Sequence, residues 1–174
     1  LLKNKNVTFL KINLRNKINR NKHDISHIFH LAGSVGVKNI NDSPFLTFIN
    51  NITSLINVIN FTRKQKNRIK VAIFSTSELY SNLIKRNLVK FPISEKNNII
   101  VENKIIDRDS YYLSKLFNEK ITQLSKIEHI ILRPHNIYGP RMGFSHVIPE
   151  LIKKVFDREN KKITVYSPQH KRAF

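Results

Sequence analysis

Short apolar runs recur along the chain and predict five strands. Val7–Leu14 alternates between apolar and polar residues and is rich in apolar ones, which favours a strand. Ile28–Ala32, Lys70–Thr76 and His129–Arg133 are nearly continuous apolar runs, typical of strands buried inside a parallel sheet. Ile163–Tyr166 predicts a last short strand.

Three segments between the strands predict helices, two of them with apolar residues every three or four positions. The first begins at Ser43 and Pro44, which suit the N-cap and the first helical position. The second runs from Ser110 to about Lys126, and the third is Val147–Phe156. Segment 16–24 predicts a loop or short helix, and segment 81–109 an irregular region. The side chains expected to be buried are Phe45, Phe48, Ile49, Ile52, Ile56 and Ile59 on the first helix and Leu113, Leu116, Phe117, Ile121 and Leu124 on the second.

Strands that alternate with helices predict an α/β fold with a doubly wound parallel sheet. In that architecture, ligands bind at the carboxyl ends of the strands. Three polar clusters follow predicted strands: residues 33–36, 75–78 and 135–138. The sequence therefore predicts a site at this edge of the sheet.

Tyr111 and Lys115 are the first candidates for chemistry at that edge. They lie four residues apart at the start of a predicted helix, so their side chains share one face. An ammonium group beside a phenol favours the phenolate, and the pKa of a tyrosine is ordinarily about 10. The spacing predicts a tyrosine that acts as a general base near neutral pH.

Length and composition set the class of protein. The chain has 174 residues, of which 40% are apolar, enough for one domain with a core or for a piece of a larger one. Because no window approaches the ~18 apolar residues of a membrane span and the first residues lack a signal-peptide layout, we expect a cytoplasmic protein without a membrane partner. The chain has no cysteine, and its seven histidines show no metal-ligand spacing, so we expect no metal site.

The net charge of +19 would attract a polyanion such as nucleic acid. The basic residues are spread along the whole chain and accompany many Asn and Ile residues, as a biased base composition would produce. No helix-turn-helix, zinc-finger or aromatic RNA-binding signature accompanies them. A nucleic-acid-binding protein therefore stays an alternative that rests on charge alone, and we expect no nucleic-acid partner.

Five motifs, taken together and in chain order, resemble those of the extended short-chain dehydrogenase/reductase family. Its members are NAD-dependent sugar-nucleotide epimerases, dehydratases and decarboxylases. The motifs are His30–Val37 (HLAGSVGV), the segment Pro44–Asn57, Ser75–Tyr80 (STSELY), Tyr111–Lys115 (YxxxK) and Arg133–Pro140 (RPHNIYGP). The resemblance implies a partial Rossmann-type NAD-binding domain over residues 1–174, with the start of a sugar-nucleotide-binding region at about 134–174.

The resemblance also implies a mechanism and assigns residues to it. Tyr111 takes the proton of a sugar hydroxyl while hydride passes to NAD, Thr76 hydrogen-bonds the same oxygen, and Lys115 holds the nicotinamide ribose. A keto-sugar intermediate results. Ser77 and Glu78 are further catalytic candidates, because dehydratases and decarboxylases of the family place acid/base groups there. The implied cofactor-binding residues are Leu31, Ala32, Gly33, Asn51, Ser75, Tyr111, Lys115 and Pro134.

The motifs leave the sugar nucleotide and the reaction open. STSELY resembles the strand end of GDP-mannose 4,6-dehydratases, and its valine form occurs in UDP-glucuronic acid decarboxylases. Residues 139–142 and 172–174 resemble the UDP-sugar branch instead. The implied substrate-binding residues are His135, Asn136 and Arg172, and an arginine fork suits a diphosphate.

One family motif is absent. The glycine-rich phosphate turn has no counterpart, since the four glycines lie at 33, 36, 139 and 143. We therefore expect a fragment that is inactive alone and whose full-length form is a homodimer paired through the helices from Ser43 and Tyr111. A non-catalytic relict of the fold is the alternative that this departure leaves open.

Overall fold

The computed structural model describes residues 4–19, 24–143 and 146–156. It divides the chain into two compact units, Leu1–Arg133 and Pro134–Phe174. Among the described residues, no helix has both the length and the apolar content needed to cross a membrane.

The first unit alternates strands and helices, as predicted. The second unit contains α5, Val147–Phe156, whose bounds match the prediction. The elements of the first unit, in chain order, are β1 (His27–His30), α1 (Val37–Asp42), α2 (Pro44–Arg63), β2 (Lys70–Phe74), a 3-10 helix (Ser77–Tyr80), α3 (Ser81–Lys85), α4 (Asp109–Ser125) and β3 (His129–Leu132).

The three strands form a parallel sheet in the order β1-β2-β3. Phe29 pairs with Ala72, and Ala72 pairs with Ile130. When consecutive parallel strands lie side by side, right-handed crossovers place their connecting helices on the same face. The α/β prediction is confirmed, and α2 and α4 form the helix layer of the described sheet.

The hydrophobic core lies between the sheet and α2. Val71 and Ile73 of β2 pack against Leu55, Val58 and Ile59, and all five side chains are buried. Ile28, Ile121 and Ile131 pack at the margin of this cluster.

The outer strands are less buried than predicted. Side chains alternate between the two faces of a strand, so Phe29 and Ile130 lie on the face opposite α2, where they are 63% and 56% exposed. The expectation that β1 and β3 are buried on both faces is wrong for the described residues, because α2 and α4 cover only one face.

The apolar stripe predicted for α2 is buried only in part: Ile59 is buried, Phe48 and Ile52 are half-buried, and Phe45, Ile49 and Ile56 are exposed. The helix begins at Pro44 after Ser43, as predicted, although the Ser43 side chain makes no capping hydrogen bond. Half of the residues on its buried face are polar, whereas Phe45 is 71% exposed. The buried residues of α2 are Thr47, Asn51, Ser54, Leu55, Val58, Ile59, Phe61 and Thr62.

Helix α4 also departs from its prediction: Phe117 and Leu124 are exposed, and the face toward α2 and the sheet is polar. Such groups are tolerated in the core because they are hydrogen-bonded. For example, the hydroxyls of Thr62 and Thr122 donate to the carbonyls of Val58 and Asn118, at 2.9 and 2.7 Å. The buried residues of α4 are Tyr112, Ser114, Lys115, Asn118, Glu119 and Thr122.

Two predicted strands are not part of the described sheet. Segment Val7–Leu14 is irregular and exposed, so its prediction as a strand is wrong. Alternation yields a strand only where a neighbour completes the hydrogen-bond ladder, and β1 pairs with β2 alone among the described residues. The segment is held instead by the Asn57 amide, which donates to the Leu14 carbonyl at 2.8 Å. The prediction for Ile163–Tyr166 lies outside the described residues.

Candidate active site

Helix α4 brings Tyr111 and Lys115 to the carboxyl end of β2. The Lys115 Nζ donates to the Phe74 carbonyl at 2.7 Å, and the Thr76 side chain lies close enough to the Tyr111 hydroxyl to lower the pKa of the phenol. A Cβ atom at Gly33, in the loop after β1, would lie 3.7 Å from the Lys115 Nζ. Sequence reasoning about strand ends thus placed four candidates at one edge of the sheet, and the structure brings them together.

Lys115 is a buried ammonium group. Burial lowers its pKa from 10.5 to about 8, because a low-dielectric environment disfavours the charged form. Its Nζ lies over the Tyr111 ring, 5.7 Å from the ring centroid. The cation therefore sits beside the candidate base while remaining bonded to the strand end.

Tyr111 is less acidic than the sequence predicted. Burial raises the pKa of its phenol, the negative charge of Glu78 raises it further, and the hydrogen bond with Thr76 lowers it. The expectation that Lys115 makes this phenol acidic is wrong for the described structure. Burial and Glu78 raise the pKa of this phenol, and the Lys115 ammonium group donates to the Phe74 carbonyl. The effects that raise the pKa of the Tyr111 phenol therefore exceed the one that lowers it.

The 3-10 helix carries Ser77 and Glu78, and the charge of Glu78 acts on Tyr111. Thr76 is the N-cap of this helix, and its hydroxyl accepts a hydrogen bond from the Glu78 amide at 3.2 Å. This bond orients the backbone at the end of β2. The cap explains how the Glu78 carboxylate comes close enough to act on Tyr111 through its charge.

Asn51 anchors the loop that follows β1. Its side-chain oxygen accepts from the Ser34 amide at 2.6 Å, and its Nδ2 donates to the Ser114 hydroxyl at 3.0 Å and to the Ser34 carbonyl at 3.3 Å. A Cβ atom at Gly33 would lie 3.2 Å from the Asn51 oxygen, closer than side-chain carbons normally pack. The amide therefore ties the glycine loop to α2 and α4, while Leu31 and Ala32 lie exposed before it.

The strand ends also fit the polar groups of a cofactor. The His30 Nε2 and the Ser75 Oγ are buried and have no hydrogen-bond partner among the described residues. Buried polar atoms are normally paired. Since both strand ends lie beside Lys115, these two atoms can accept or donate to a bound molecule at this edge.

His30 gives the site a testable pH dependence. The residue is 5% exposed, and burial, followed by the charge of Lys115, lowers its pKa from 6.5 to about 4. Between these pH values the unfolded chain binds a proton that the folded chain does not. Stability contributed by neutral His30 is therefore present above about pH 6.5 and is lost as the pH falls to 4, by about 3 kcal/mol.

Urea unfolding of the wild type and of His30→Gln between pH 4 and pH 7 measures this loss. As the pH falls from 7 to 4, we expect the free energy of unfolding of the wild type to fall by about 3 kcal/mol more than that of His30→Gln. Carboxylates titrate in both proteins and cancel in the comparison. Parallel pH curves would show that His30 does not titrate in this way.

The remaining candidates lie in the second unit or outside the described residues. Pro134 is half-buried, and His135 and Asn136 are exposed, in the irregular segment before α5. Arg172 lies outside the described residues. The binding roles of these four residues stay predictions.

Sequence reasoning missed a buried ion pair near the site. Arg133, at the end of β3, donates to both carboxylate oxygens of Glu119, at 2.8 and 2.6 Å, and to the Tyr80 hydroxyl at 2.6 Å. The available signal was spacing, because Glu119 lies four residues after Lys115 and eight after Tyr111 on the same helix. Only the fold shows that Arg133 and Tyr80 meet it.

The parallel sheet, its glycine loop and the Tyr–Lys helix define a Rossmann-type α/β domain of the short-chain dehydrogenase/reductase class. The family model described as "NAD dependent epimerase/dehydratase family" matches residues 2–174. The chain belongs to this family, whose members are NAD-dependent enzymes.

Individual relatives agree with the family. The chain is 30% identical to the UDP-N-acetyl-alpha-D-glucosaminuronate decarboxylase of Bacillus cytotoxicus, over 76% of this chain and 40% of the relative. It is 23% identical to the UDP-glucose 4-epimerase of Mycoplasma pneumoniae, over 75% of this chain and 40% of that protein. The chain thus spans about two fifths of the length of these curated relatives.

A solved structure shares the fold. The UDP-glucose 4-epimerase from Bifidobacterium longum, crystallised in complex with NAD+ and UDP, superposes with a TM-score of 0.53 at 22% identity. The match covers 66% of this chain and 32% of that one.

Proposed function

We propose that this chain carries the catalytic residues of an NAD-dependent enzyme that converts a UDP-sugar through a 4-keto intermediate. The observation that carries the proposal is the meeting of Tyr111, Thr76 and Lys115 at the carboxyl end of β2. NAD, when bound, supplies the hydride acceptor.

The proposed proton transfer uses residues that touch one another. Tyr111 receives the proton of the sugar hydroxyl, and Thr76, which lies beside the phenol, orients the same oxygen. Because the structure raises the pKa of Tyr111, its ionised form needs a nearby positive charge. Lys115, whose Nζ lies over the ring, is the candidate for that charge and for the ribose contact.

The proposed NAD site lies along the ends of β1 and β2. Its polar groups are His30, Ser75 and Lys115, and the backbone from Leu31 to Gly33 forms one wall. Asn51 holds this wall in place through Ser34.

The proposed substrate is a UDP-sugar because the two curated relatives are named as UDP-sugar enzymes. One relative is a decarboxylase and the other an epimerase, so epimerisation, dehydration and decarboxylation remain separate outcomes. Ser77 and Glu78 are proposed as acid/base groups for the second step. His135, Asn136 and Arg172 of the second unit are proposed to bind the sugar nucleotide.

The experiment uses the protein expressed from its complete gene. Calorimetry should show NAD binding, and mass spectrometry with NMR should show conversion of UDP-glucose or UDP-glucuronic acid with GDP-mannose unchanged. A protein that binds no NAD and converts no UDP-sugar would contradict the proposal.

We further propose that the protein is a homodimer paired through the outward faces of α2 and α4. These faces expose apolar side chains, among them Phe45 and Leu124, which are 71% and 80% exposed. A cavity of about 410 Å³ between them is lined by Phe45, Phe48 and Phe117 together with the loop residues Ile105 and Ile106. Exposed apolar surface of this kind is typical of an interface.

A single substitution tests this interface. We expect Phe45→Glu to convert the dimer to a monomer, because a carboxylate on each copy would be buried unpaired. Sedimentation velocity measures the mass. Leu88→Glu, at an exposed apolar residue after α3, is the control and should remain dimeric. A monomeric wild type, or a dimer that Phe45→Glu leaves intact, would contradict the proposed interface.

A further inference from the structure

A buried three-residue cluster links the two elements that carry the proposed catalytic residues. Arg133 forms a two-pronged ion pair with Glu119 and a hydrogen bond with the Tyr80 hydroxyl, and its Cζ lies 5.3 Å from the Tyr80 ring centroid. The Glu119 side chain is 1% exposed and that of Arg133 is 16% exposed. We call these three residues the arginine clamp.

The arginine clamp joins α4 to the 3-10 helix. Glu119 lies one helical turn after Lys115 and two turns after Tyr111, on the same face of α4. Tyr80 is the last residue of the 3-10 helix that carries Glu78. Arg133, fixed at the end of β3, bonds to both, so the clamp sets the distance between the helix of Tyr111 and the segment of Thr76 and Glu78.

Stability alone does not account for the clamp. The free energy lost when two charges leave water offsets the free energy of their attraction. A buried ion pair therefore often stabilises a fold no more than apolar side chains of the same size. A two-pronged arginine–carboxylate pair instead fixes a direction, because both hydrogen bonds must stay in line. Its distinctive property is geometric.

We infer that Arg133, Glu119 and Tyr80 are positioning residues that hold the Tyr111 hydroxyl against Thr76 and Glu78. The inference rests on the proposed function, in which Tyr111 is the base. The three residues act through the relative placement of α4 and the 3-10 helix and not through contact with substrate or cofactor.

The test replaces the ion pair by apolar side chains of similar length. In the double variant Glu119→Met/Arg133→Met no charge is left unpaired, so the protein is expected to fold. Turnover of the UDP-sugar should fall about 100-fold with an unchanged KM, because a displaced base weakens the transition state and not substrate binding. Tyr80→Phe removes one hydrogen bond from the clamp and should lower kcat about tenfold.

The chain offers a matched control. Arg86 makes the same two-pronged pair with Glu102, at 3.1 and 2.6 Å, but these two side chains are 53% and 39% exposed. The double variant Arg86→Met/Glu102→Met should keep wild-type kcat, KM and Tyr111 titration. If it loses kcat as the clamp variant does, the effect is not specific and the inference is overturned.

A second measurement separates this inference from the proposed function. Ultraviolet absorbance titration of each protein, with that of its Tyr111→Phe counterpart subtracted, reports the phenol of Tyr111 without any turnover. Burial and Glu78 raise the pKa of this phenol in the intact clamp, so the double variant should titrate closer to 10. If the wild type converts no UDP-sugar, the proposed function fails and this titration alone decides the inference.

Each remaining result decides the inference. A lower pKa of the Tyr111 phenol in the double variant, with reduced kcat and unchanged KM, supports it. If the double variant keeps the wild-type pKa of Tyr111, or keeps the wild-type kcat when the wild type is active, the inference is overturned. If the double variant does not fold, the same two readings on Tyr80→Phe decide instead.

Discussion

Replacing Tyr111 by Phe is expected to lower NAD-dependent turnover about 1,000-fold and to leave NAD binding unchanged. General-base catalysis contributes roughly 100- to 10,000-fold to a rate. The substitution removes only the hydroxyl, which lies beside the Thr76 side chain. The ring over which the Lys115 Nζ lies is retained, so Lys115 keeps its bond to the Phe74 carbonyl. Steady-state turnover and calorimetry with NAD measure the two quantities.

Tyr112→Phe is the control for this prediction. Tyr112 is the adjacent phenol and is also buried, but its neighbours are Asp109, Asn82 and Glu102, and neither Thr76 nor Glu78 is among them. We expect wild-type turnover from this variant within about threefold. Full activity in Tyr111→Phe would remove Tyr111 from the mechanism, and loss of NAD binding would mean that the hydroxyl serves the cofactor site.

The sequence determined where the helices and strands lie more reliably than which faces they bury. α5 and the start of α2 follow from local signals, namely Pro149 in a first turn and Pro44 after Ser43. Such signals act within one helical turn and need no knowledge of the rest of the fold. The same locality explains why the strand β2 was predicted within two residues.

Burial could not be predicted in the same way because it depends on partners distant in sequence. The apolar stripe that begins at Phe45 marks α2 as a helix, yet the face that meets α4 carries Asn51 and Ser54. Asn51 is buried because it forms hydrogen bonds with Ser34, Ser114 and Asn118 across the fold. The Ser54 hydroxyl donates to the Asn51 carbonyl within α2. No periodicity in the sequence encodes such pairings.

The candidate site shows the same division. The meeting of Tyr111, Lys115 and Thr76 follows from the rule that parallel strands present their carboxyl ends at one edge. The pKa of Tyr111 does not follow from spacing, since burial and the Glu78 carboxylate decide it. The arginine clamp could not be predicted from the sequence because its contacts join residues distant along the chain: Tyr80 and Arg133 are 53 residues apart.

The arginine clamp leads to the largest expected effect on stability. We expect Arg133→Ala to lower the free energy of unfolding by about 3–5 kcal/mol, because the Glu119 carboxylate would be left buried without its partner. The side chain of Glu119 is 1% exposed and cannot reach water without a rearrangement of α4. Urea unfolding followed by far-ultraviolet circular dichroism measures the loss.

Arg86→Ala separates burial from ion pairing as the cause of that loss. Arg86 and Glu102 form the same two-pronged geometry, but their side chains are exposed and their charges stay hydrated when the pair is broken. Exposed pairs contribute about 0–1 kcal/mol, so this variant should be nearly as stable as the wild type. Equal losses in the two variants would show that pairing itself supplies the energy. A small loss in Arg133→Ala would show that Glu119 finds water or another donor. A large loss in Arg133→Ala together with a small loss in Arg86→Ala would show that the Glu119 carboxylate is buried and depends on Arg133 alone. That ion pair joins α4 to the end of β3.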